Sequence, residues 1–203
     1  MTKKMTREQI HKMVLTGILA GLVMIAAFFP LRIGTFQIAL GLIPIIIGGA
    51  ICGPLAGGFL GLVFGAFNLF DAGLFLAFSV PGTVVTCLLK GTLAGFASGL
   101  LYKALARITD NNNASTGRNM LRVFLAGAAC PIVNTGVFAA GCYLFFFSDI
   151  NEWALANGFG SATEAVFIGF IGINFLVELA TVSLLSPMIE RLVRAGAQIR
   201  KKR

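Results

Sequence analysis

The chain has 203 residues, of which 57% are hydrophobic and 12% charged, and its mean hydropathy is +0.89. A soluble domain has about a quarter charged residues, so this composition excludes one and indicates an integral membrane protein. The formal net charge of +8 does not indicate nucleic-acid binding, because it follows membrane topology. All of the 16 Lys and Arg residues except Arg32 and Lys90 precede the first predicted span, flank the central linker or follow the last span. The positive-inside rule places these segments, with both termini, in the cytoplasm.

Six apolar stretches predict an all-α, multi-pass protein of the cell membrane, with residues 1–203 forming a single integral membrane domain. The second and third stretches are shorter than the roughly 20 residues that a bilayer requires, so we expect them to tilt or to lie in a thinned region. Outer loops are predicted over 31–37, 71–80 and 148–163. The predicted spans are residues 13–29, 38–52, 55–70, 81–105, 121–147 and 164–189.

The second and third spans contain a regular series of glycines. Gly53, Gly57, Gly61 and Gly65 recur every four residues in a stretch without charge, and we call them the glycine ladder. Residues four apart share one face of a helix, so the ladder forms a groove that lets another helix approach closely in lipid. Pro54 follows Gly53 and suits the first turn of a helix, which predicts a tight turn between the two spans.

The sequence contains no recognisable catalytic motif. The single histidine, His11, precedes the first span, and the four cysteines lie in apolar stretches without CxxC spacing. A phosphate-binding GxxxxGK[ST] loop is also missing from the sequence. We therefore expect no enzyme activity, no cofactor and no metal, and we expect any ATP hydrolysis to occur in partner subunits.

Several polar side chains lie at membrane depth, where they are costly. Lys90 is predicted about 13 Å from the outer end of span four, and Asn134 and Thr135 about 20 Å from the outer end of span five. In span six, Asn174 lies about 15 Å from the outer end and Glu178 one turn deeper on the same face. Such groups normally face the protein interior. Together with many phenylalanines, they predict a site for a small amphipathic ligand.

A structural role is the alternative interpretation of the same residues. Lys90 and Glu178 would then form an ion pair, and Asn134 and Thr135 would hydrogen-bond between helices. The similar depth of the whole set favours a ligand site over these separate roles.

The order of these features resembles the substrate-binding S component of energy-coupling factor (ECF) vitamin transporters. Residues 36–65, 85–105 and 130–138 carry the resemblance through the Gly-Pro turn and the glycine spacing. It implies an S-component-like bundle of six helices, with an outer vitamin pocket built from helices four to six and capped by the loop after helix one. It also implies partners: a transmembrane coupling protein, on which helices one to three dock, and two ATPases that drive uptake.

The resemblance suggests which residues bind substrate and which contact the coupling protein. In helix one, Gly17-xxx-Gly21, with Ala20 beside it, stands where the family usually has two alanines. Because helices one to three carry little ligand chemistry, Gly57 and Gly61 are also predicted to face a partner. The expected substrate-binding residues are Lys90, Asn134, Thr135, Asn174, Glu178, Arg32, Phe36 and Asn68.

The vitamin is predicted from the polar groups. Lys90 suggests a ligand carboxylate or phosphate, whereas Asn134, Thr135 and Asn174 suggest amide or hydroxyl recognition. The middle of the chain looks most like the pantothenate group, with folate, riboflavin and pyridoxine-type vitamins as alternatives. Phenylalanines in place of tryptophan disfavour a thiamine-type cage. A small secondary transporter that uses Glu178 as a proton carrier, and a structural membrane protein without a ligand, are alternatives from other classes.

Overall fold

The apolar stretches form helices, which satisfy their own backbone groups in lipid. A computed structural model describes residues 6–28, 31–33, 36–38, 40–109 and 116–201. The longer helices are α1 (Arg7–Phe28), α2 (Leu42–Cys52), α3 (Pro54–Asn68), α5 (Val80–Thr109), α6 (Thr116–Phe145) and α9 (Ile173–Lys201). The shorter elements are strands β1 (Leu31–Ile33) and β2 (Phe36–Ile38), helices α4 (Gly73–Phe78), α7 (Phe147–Ala156) and α8 (Ala162–Glu164), a 3-10 turn (Leu69–Asp71) and a π-helix (Ala165–Gly172).

Within the part of the chain that the structure describes, five helical segments are long and apolar enough to cross a membrane. Four of them lie over the predicted spans one, three, four and five, and the fifth is the continuous segment Ala162–Ala195. The stretch predicted as span two forms α2, which has 11 residues. At 1.5 Å per residue α2 covers roughly 17 Å, about half of a bilayer's hydrocarbon core. By length α2 is therefore a short apolar helix within the bundle.

The predicted outer loops contain regular structure. Strands β1 and β2 pair antiparallel, with Arg32 opposite Gln37, in the segment predicted as a loop. Apolar and polar residues alternate along both strands, which suits a strand's two-residue period. Helix α4 lies in the second predicted loop and α7 in the third. Both short helices are rich in apolar residues that pack against the bundle.

Gly53 and Pro54 form the predicted turn. Gly53 has a φ of 104°, which an L side chain rarely adopts, and Pro54 occupies the first turn of α3. The tight turn between α2 and α3 is thus confirmed.

The glycine ladder packs inside the protein. The prediction that Gly57 and Gly61 form a partner-docking face is wrong, because both are buried against α5. A Cβ atom at Gly57 would overlap the carbonyl oxygen of Gly95, and one at Gly61 would overlap that of Gly91. The second helix that approaches the groove is therefore α5 of the same chain, which brings its own row of glycines to the contact.

Two clusters of buried apolar residues stabilise the bundle. The larger joins α1, α2, α3, α5, α6 and α9 around Val23, Ile45 and Leu60. The smaller lies where α6, α7, α8 and the π-helix meet, around Phe146 and Ile150. The polar cavity described below has Phe64 of the larger cluster and Phe146 of the smaller in its wall.

Candidate substrate-binding site

A cavity of about 310 Å³ lies between α1, α3, α4, α5, α6, the π-helix and α9. Ligand pockets in proteins have about this volume or more, and combine apolar walls with a few polar groups. Here six phenylalanines contribute to the apolar walls, and the polar groups come from α3, α5, α6, α9 and the 3-10 turn, which contributes Asp71.

Six of the eight predicted substrate-binding residues line this cavity. Asn68 comes from α3, at a distance in sequence from the others. Arg32 and Phe36 belong to the β-hairpin, and their side chains lie outside the described part of the structure. Besides Asn68, the predicted residues that line the cavity are Lys90 of α5, Asn134 and Thr135 of α6, and Asn174 and Glu178 of α9. The bundle thus brings residues from four helices, 110 positions apart between Asn68 and Glu178, to one space.

Three acceptor oxygens in the cavity have no hydrogen-bond partner among the described residues: Asn134 Oδ1, Asn174 Oδ1 and Glu178 Oε2. Asn134 is 7% exposed and Glu178 is 5% exposed. A buried acceptor without a donor costs roughly 1–3 kcal/mol. A ligand that brings hydroxyl or amide donors to these three oxygens would recover that free energy on binding.

Lys90 places an ammonium group at the cavity. Its Nζ atom lies 5.2 Å from the centre of the Phe138 ring, a distance at which a cation–π attraction operates. In the described part of the chain, no ion pair joins Lys90 to Glu178, so the structural ion pair considered above is not observed. The ammonium and the carboxyl group therefore face the same cavity from different helices.

The structure adds Thr83 and Thr86 of α5 to the lining. The Thr83 hydroxyl donates to the Ser79 carbonyl oxygen at 2.7 Å, the usual arrangement for threonine in a helix. The Thr86 hydroxyl is buried and has no partner among the described residues. Its position depends on Gly141 of α6, where a Cβ atom would lie 2.5 Å from the Thr86 Oγ1. Sequence reasoning missed both threonines, although Thr83, Thr86 and Lys90 follow the spacing of one helix face.

Aromatic side chains close the end of the cavity that faces α4. Phe75 of α4 lies 5.4 Å from Phe138, 5.4 Å from Phe146 and 5.3 Å from Phe170, measured between ring centres. Phe170 comes from the π-helix and also lies 5.2 Å from the Trp153 ring of α7. The wider turns of a π-helix are rare and frequent at functional sites. Here the π-helix supplies three residues of the cavity wall, Gly169, Phe170 and Ile171.

Comparison with known proteins gives the cavity its context. A family model described as "ECF transporter, substrate-specific component" matches residues 11–190. The chain belongs to this family. The fold of this S component is similar to that of ThiT from Listeria monocytogenes, with a TM-score of 0.64, 18% sequence identity and coverage of 92% of this chain and 99% of that chain. A search of curated proteins found no match.

Membership defines the general role of the protein. S components are the substrate-binding membrane subunits of ECF transporters, so this chain is a multi-pass membrane protein that takes part in transport. The family match assigns it no enzymatic activity. The family implies a vitamin ligand and partner subunits of an ECF module. Among the described residues, no group of three or more His, Cys, Asp or Glu side chains could hold a metal.

The predicted docking glycines of α1 lie on an open face of the S component. A Cβ atom at Gly17 or Gly21 would meet no atom within 4 Å. Ala20, beside them, packs partly against the larger core cluster. This face differs from the glycine ladder, because it is accessible to another protein or to lipid.

Proposed function

We propose that this S component binds a small vitamin of the pantothenate type with high affinity and delivers it to the cell with an ECF module. The module would consist of a transmembrane coupling protein and two ATPases. The S component would supply the binding energy and the selectivity, and its partners would supply the energy of ATP hydrolysis.

The set of polar groups in the cavity carries this proposal. Pantothenate has one carboxylate, one amide N–H and two hydroxyls. The Lys90 ammonium suits the carboxylate, and the three acceptor oxygens without partners, on Asn134, Asn174 and Glu178, suit the three donors. The geminal methyl groups of the vitamin would contact the phenylalanine walls.

Size and functional groups separate this ligand from the alternatives. Folate, with its pteridine, aminobenzoate and glutamate groups, is large for a cavity of about 310 Å³. A thiamine-type cation has no carboxylate for Lys90 and would pair instead with Asp71 or Glu178 of the lining. Pyridoxine lacks a carboxylate for Lys90. These vitamins are the proper competitors in a binding test.

Binding by the purified protein is the first test. Trp153 is the single tryptophan of the chain and lies in contact with Phe170 of the cavity wall, so its fluorescence should change when the cavity fills. We expect pantothenate to change the emission and to raise the thermal unfolding temperature in the absence of ATP. Folate, riboflavin, pyridoxine and thiamine should have smaller effects at equal concentration. Tighter binding of one of these four would replace pantothenate as the substrate.

Uptake into liposomes tests the mode of energy coupling. We expect pantothenate uptake to require ATP and the complete ECF module. Uptake by the chain alone, driven by a pH gradient and abolished in Glu178→Gln, would instead favour the secondary transporter. If no vitamin binds and no uptake occurs, a structural role is favoured.

The remaining predicted residues have distinct places in this proposal. Arg32 and Phe36 would act from the β-hairpin as part of the cap over the bound vitamin. Gly17, Ala20 and Gly21 would contact the coupling protein through the open face of α1. The absence of side chains at the two glycines supports such a role, because it permits close approach of a partner helix.

A further inference from the structure

Lys90 and Phe138 meet at the cavity from two different helices. The Lys90 Nζ atom lies over the face of the Phe138 ring, 5.2 Å from its centre, and both residues line the cavity. An ammonium group at this distance is attracted by the partial negative charge on the face of the ring. Because lysine carries its charge on a flexible four-carbon stem, this attraction limits the positions that the ammonium group adopts.

The Phe138 ring is itself held by a second aromatic ring. Phe75 of α4 lies 5.4 Å from Phe138 between ring centres, and the two ring planes meet at 83°, which is a favourable arrangement for an aromatic pair. Phe75 in turn contacts Phe146 and Phe170, at 5.4 Å and 5.3 Å. Phe138 packs in this way against the smaller core cluster, so the partner of the Lys90 ammonium has a defined orientation.

An aromatic partner holds the ammonium group without neutralising it. A carboxylate beside Lys90 would cancel its charge and accept its N–H groups, which would then be lost to a ligand. A phenylalanine ring attracts the same group through its quadrupole and has no net charge. Glu178 lines the cavity too, but among the described residues it forms no ion pair with Lys90. The contact with Phe138 therefore orients Lys90 and leaves its charge to the cavity.

We propose that Phe138 is a positioning residue that makes the cavity selective for ligands with an anionic group. The inference rests on the proposed function, in which Lys90 receives the carboxylate of the vitamin. Phe138 acts through Lys90: it holds the ammonium group at the cavity before the ligand arrives, so less side-chain freedom is lost on binding. An uncharged ligand of the same shape gains nothing from this arrangement.

Fluorination of the ring tests this electrostatic role. Fluorine withdraws electron density from the face of the ring and weakens its attraction for a cation, whereas the shape of the ring changes little. A trifluorinated phenylalanine is introduced at Phe138 of the full chain by nonsense suppression. Phe78 is the matched control, because it also contacts Phe75, at 6.1 Å, and is absent from the described lining of the cavity.

Isothermal titration compares pantothenate with panthenol, its uncharged analogue. We expect fluorination of Phe138 to lower the affinity for pantothenate by about fivefold, the equivalent of a cation–π attraction of roughly 1 kcal/mol. The affinity for panthenol should not change, because panthenol has no carboxylate for Lys90. Fluorination of Phe78 should change neither affinity.

A measurement on the ligand-free protein tests the contact independently of the vitamin. Side-chain protons of a lysine whose ammonium group lies over a ring face resonate upfield of those of an exposed lysine. Nuclear magnetic resonance of the protein with isotopically labelled lysine should show one such signal, which Lys90→Gln removes and thereby assigns. In Phe138→Leu the signal should return to the position of the exposed lysines.

The outcomes separate this proposal from the identity of the vitamin. If fluorination of Phe138 weakened pantothenate and panthenol binding equally, or left pantothenate binding unchanged, the positioning role would be overturned while the pantothenate assignment remained. If the unsubstituted protein bound the two compounds alike, the pantothenate assignment would fail. The lysine spectrum would then decide: an upfield signal that depends on Phe138 supports the positioning role, and its absence overturns it.

Discussion

Gly61 of α3 and Gly91 of α5 approach so closely that a Cβ atom at either position would overlap the backbone carbonyl oxygen of the other. Gly57 with Gly95, and Gly65 with Cys87, repeat this contact along the two helices. The packing of α3 on α5 therefore depends on the absence of side chains, and the first prediction concerns this contact.

Replacing Gly61 with Ala should destabilise the protein and weaken vitamin binding together. Overpacking in a close-packed interior costs about 1–3 kcal/mol, and here the obstacle is backbone, which cannot rotate away. Thermal unfolding and Trp153 titration measure the two effects. If Gly61→Ala kept its stability and its affinity but lost ATP-dependent uptake, the ladder would be a partner surface after all.

Replacing Gly17 with Leu should have the opposite effects on stability, vitamin binding and uptake. A side chain at Gly17 meets open space, so folding and vitamin binding should be unchanged. ATP-dependent uptake should fall, because the larger residue prevents close approach of the coupling protein. Gly136→Leu is the matched control, since Gly136 is an exposed glycine of α6 that also faces open space. Equal loss of uptake in both variants would argue against a specific docking role for α1.

Replacing Lys90 with Gln should weaken pantothenate binding by about 10- to 100-fold, the equivalent of a charged hydrogen bond worth roughly 1.5–3 kcal/mol. Panthenol, in which a hydroxyl replaces the carboxylate, provides the control. The unsubstituted protein should bind panthenol more weakly than pantothenate, and Lys90→Gln should bind the two compounds alike. A variant that still prefers pantothenate as strongly as before would show that the carboxylate lies elsewhere.

Replacing Thr86 with Val should weaken binding by about fivefold, since a hydrogen bond between neutral groups contributes roughly 1 kcal/mol. The Thr86 hydroxyl has no partner among the described residues and can donate to the ligand, whereas that of Thr83 is already bonded to Ser79. Thr83→Val changes a lining residue of the same type and should retain affinity. Isothermal titration of both variants makes the comparison, and equal losses would remove the special role of Thr86.

The position of the cavity can be predicted from the sequence more directly than the hydrogen bonds that its lining residues make. Asn134, Asn174 and Glu178 were predicted to meet because polar groups in apolar spans are costly and must face the interior. Their hydrogen-bonding state could not be predicted, because it depends on which side chains of other helices lie opposite. The hydroxyls of Thr83 and Thr86 illustrate this: Thr83 donates to the Ser79 carbonyl oxygen, whereas Thr86 lies against Gly141 of α6 and has no partner among the described residues.

The glycine ladder shows a different limit of prediction from the sequence. Its four-residue period correctly predicted close approach of a helix, but a period on one helix does not name the helix opposite. The matching row at Gly91, Gly95 and Gly99 of α5 was present in the sequence and was the available signal for an internal partner. The π-helix at Ala165–Gly172 left no such signal, because its apolar residues suit an α-helix equally well.

The backbone contact between α3 and α5 also fixes one side of the cavity. Backbone meets backbone along the glycine ladder, so we expect the two helices to move as one body and Asn68, Thr86 and Lys90 to keep their separations. That side of the cavity is then a rigid template for the ligand, whereas α4, which carries Phe75, takes no part in the glycine contact.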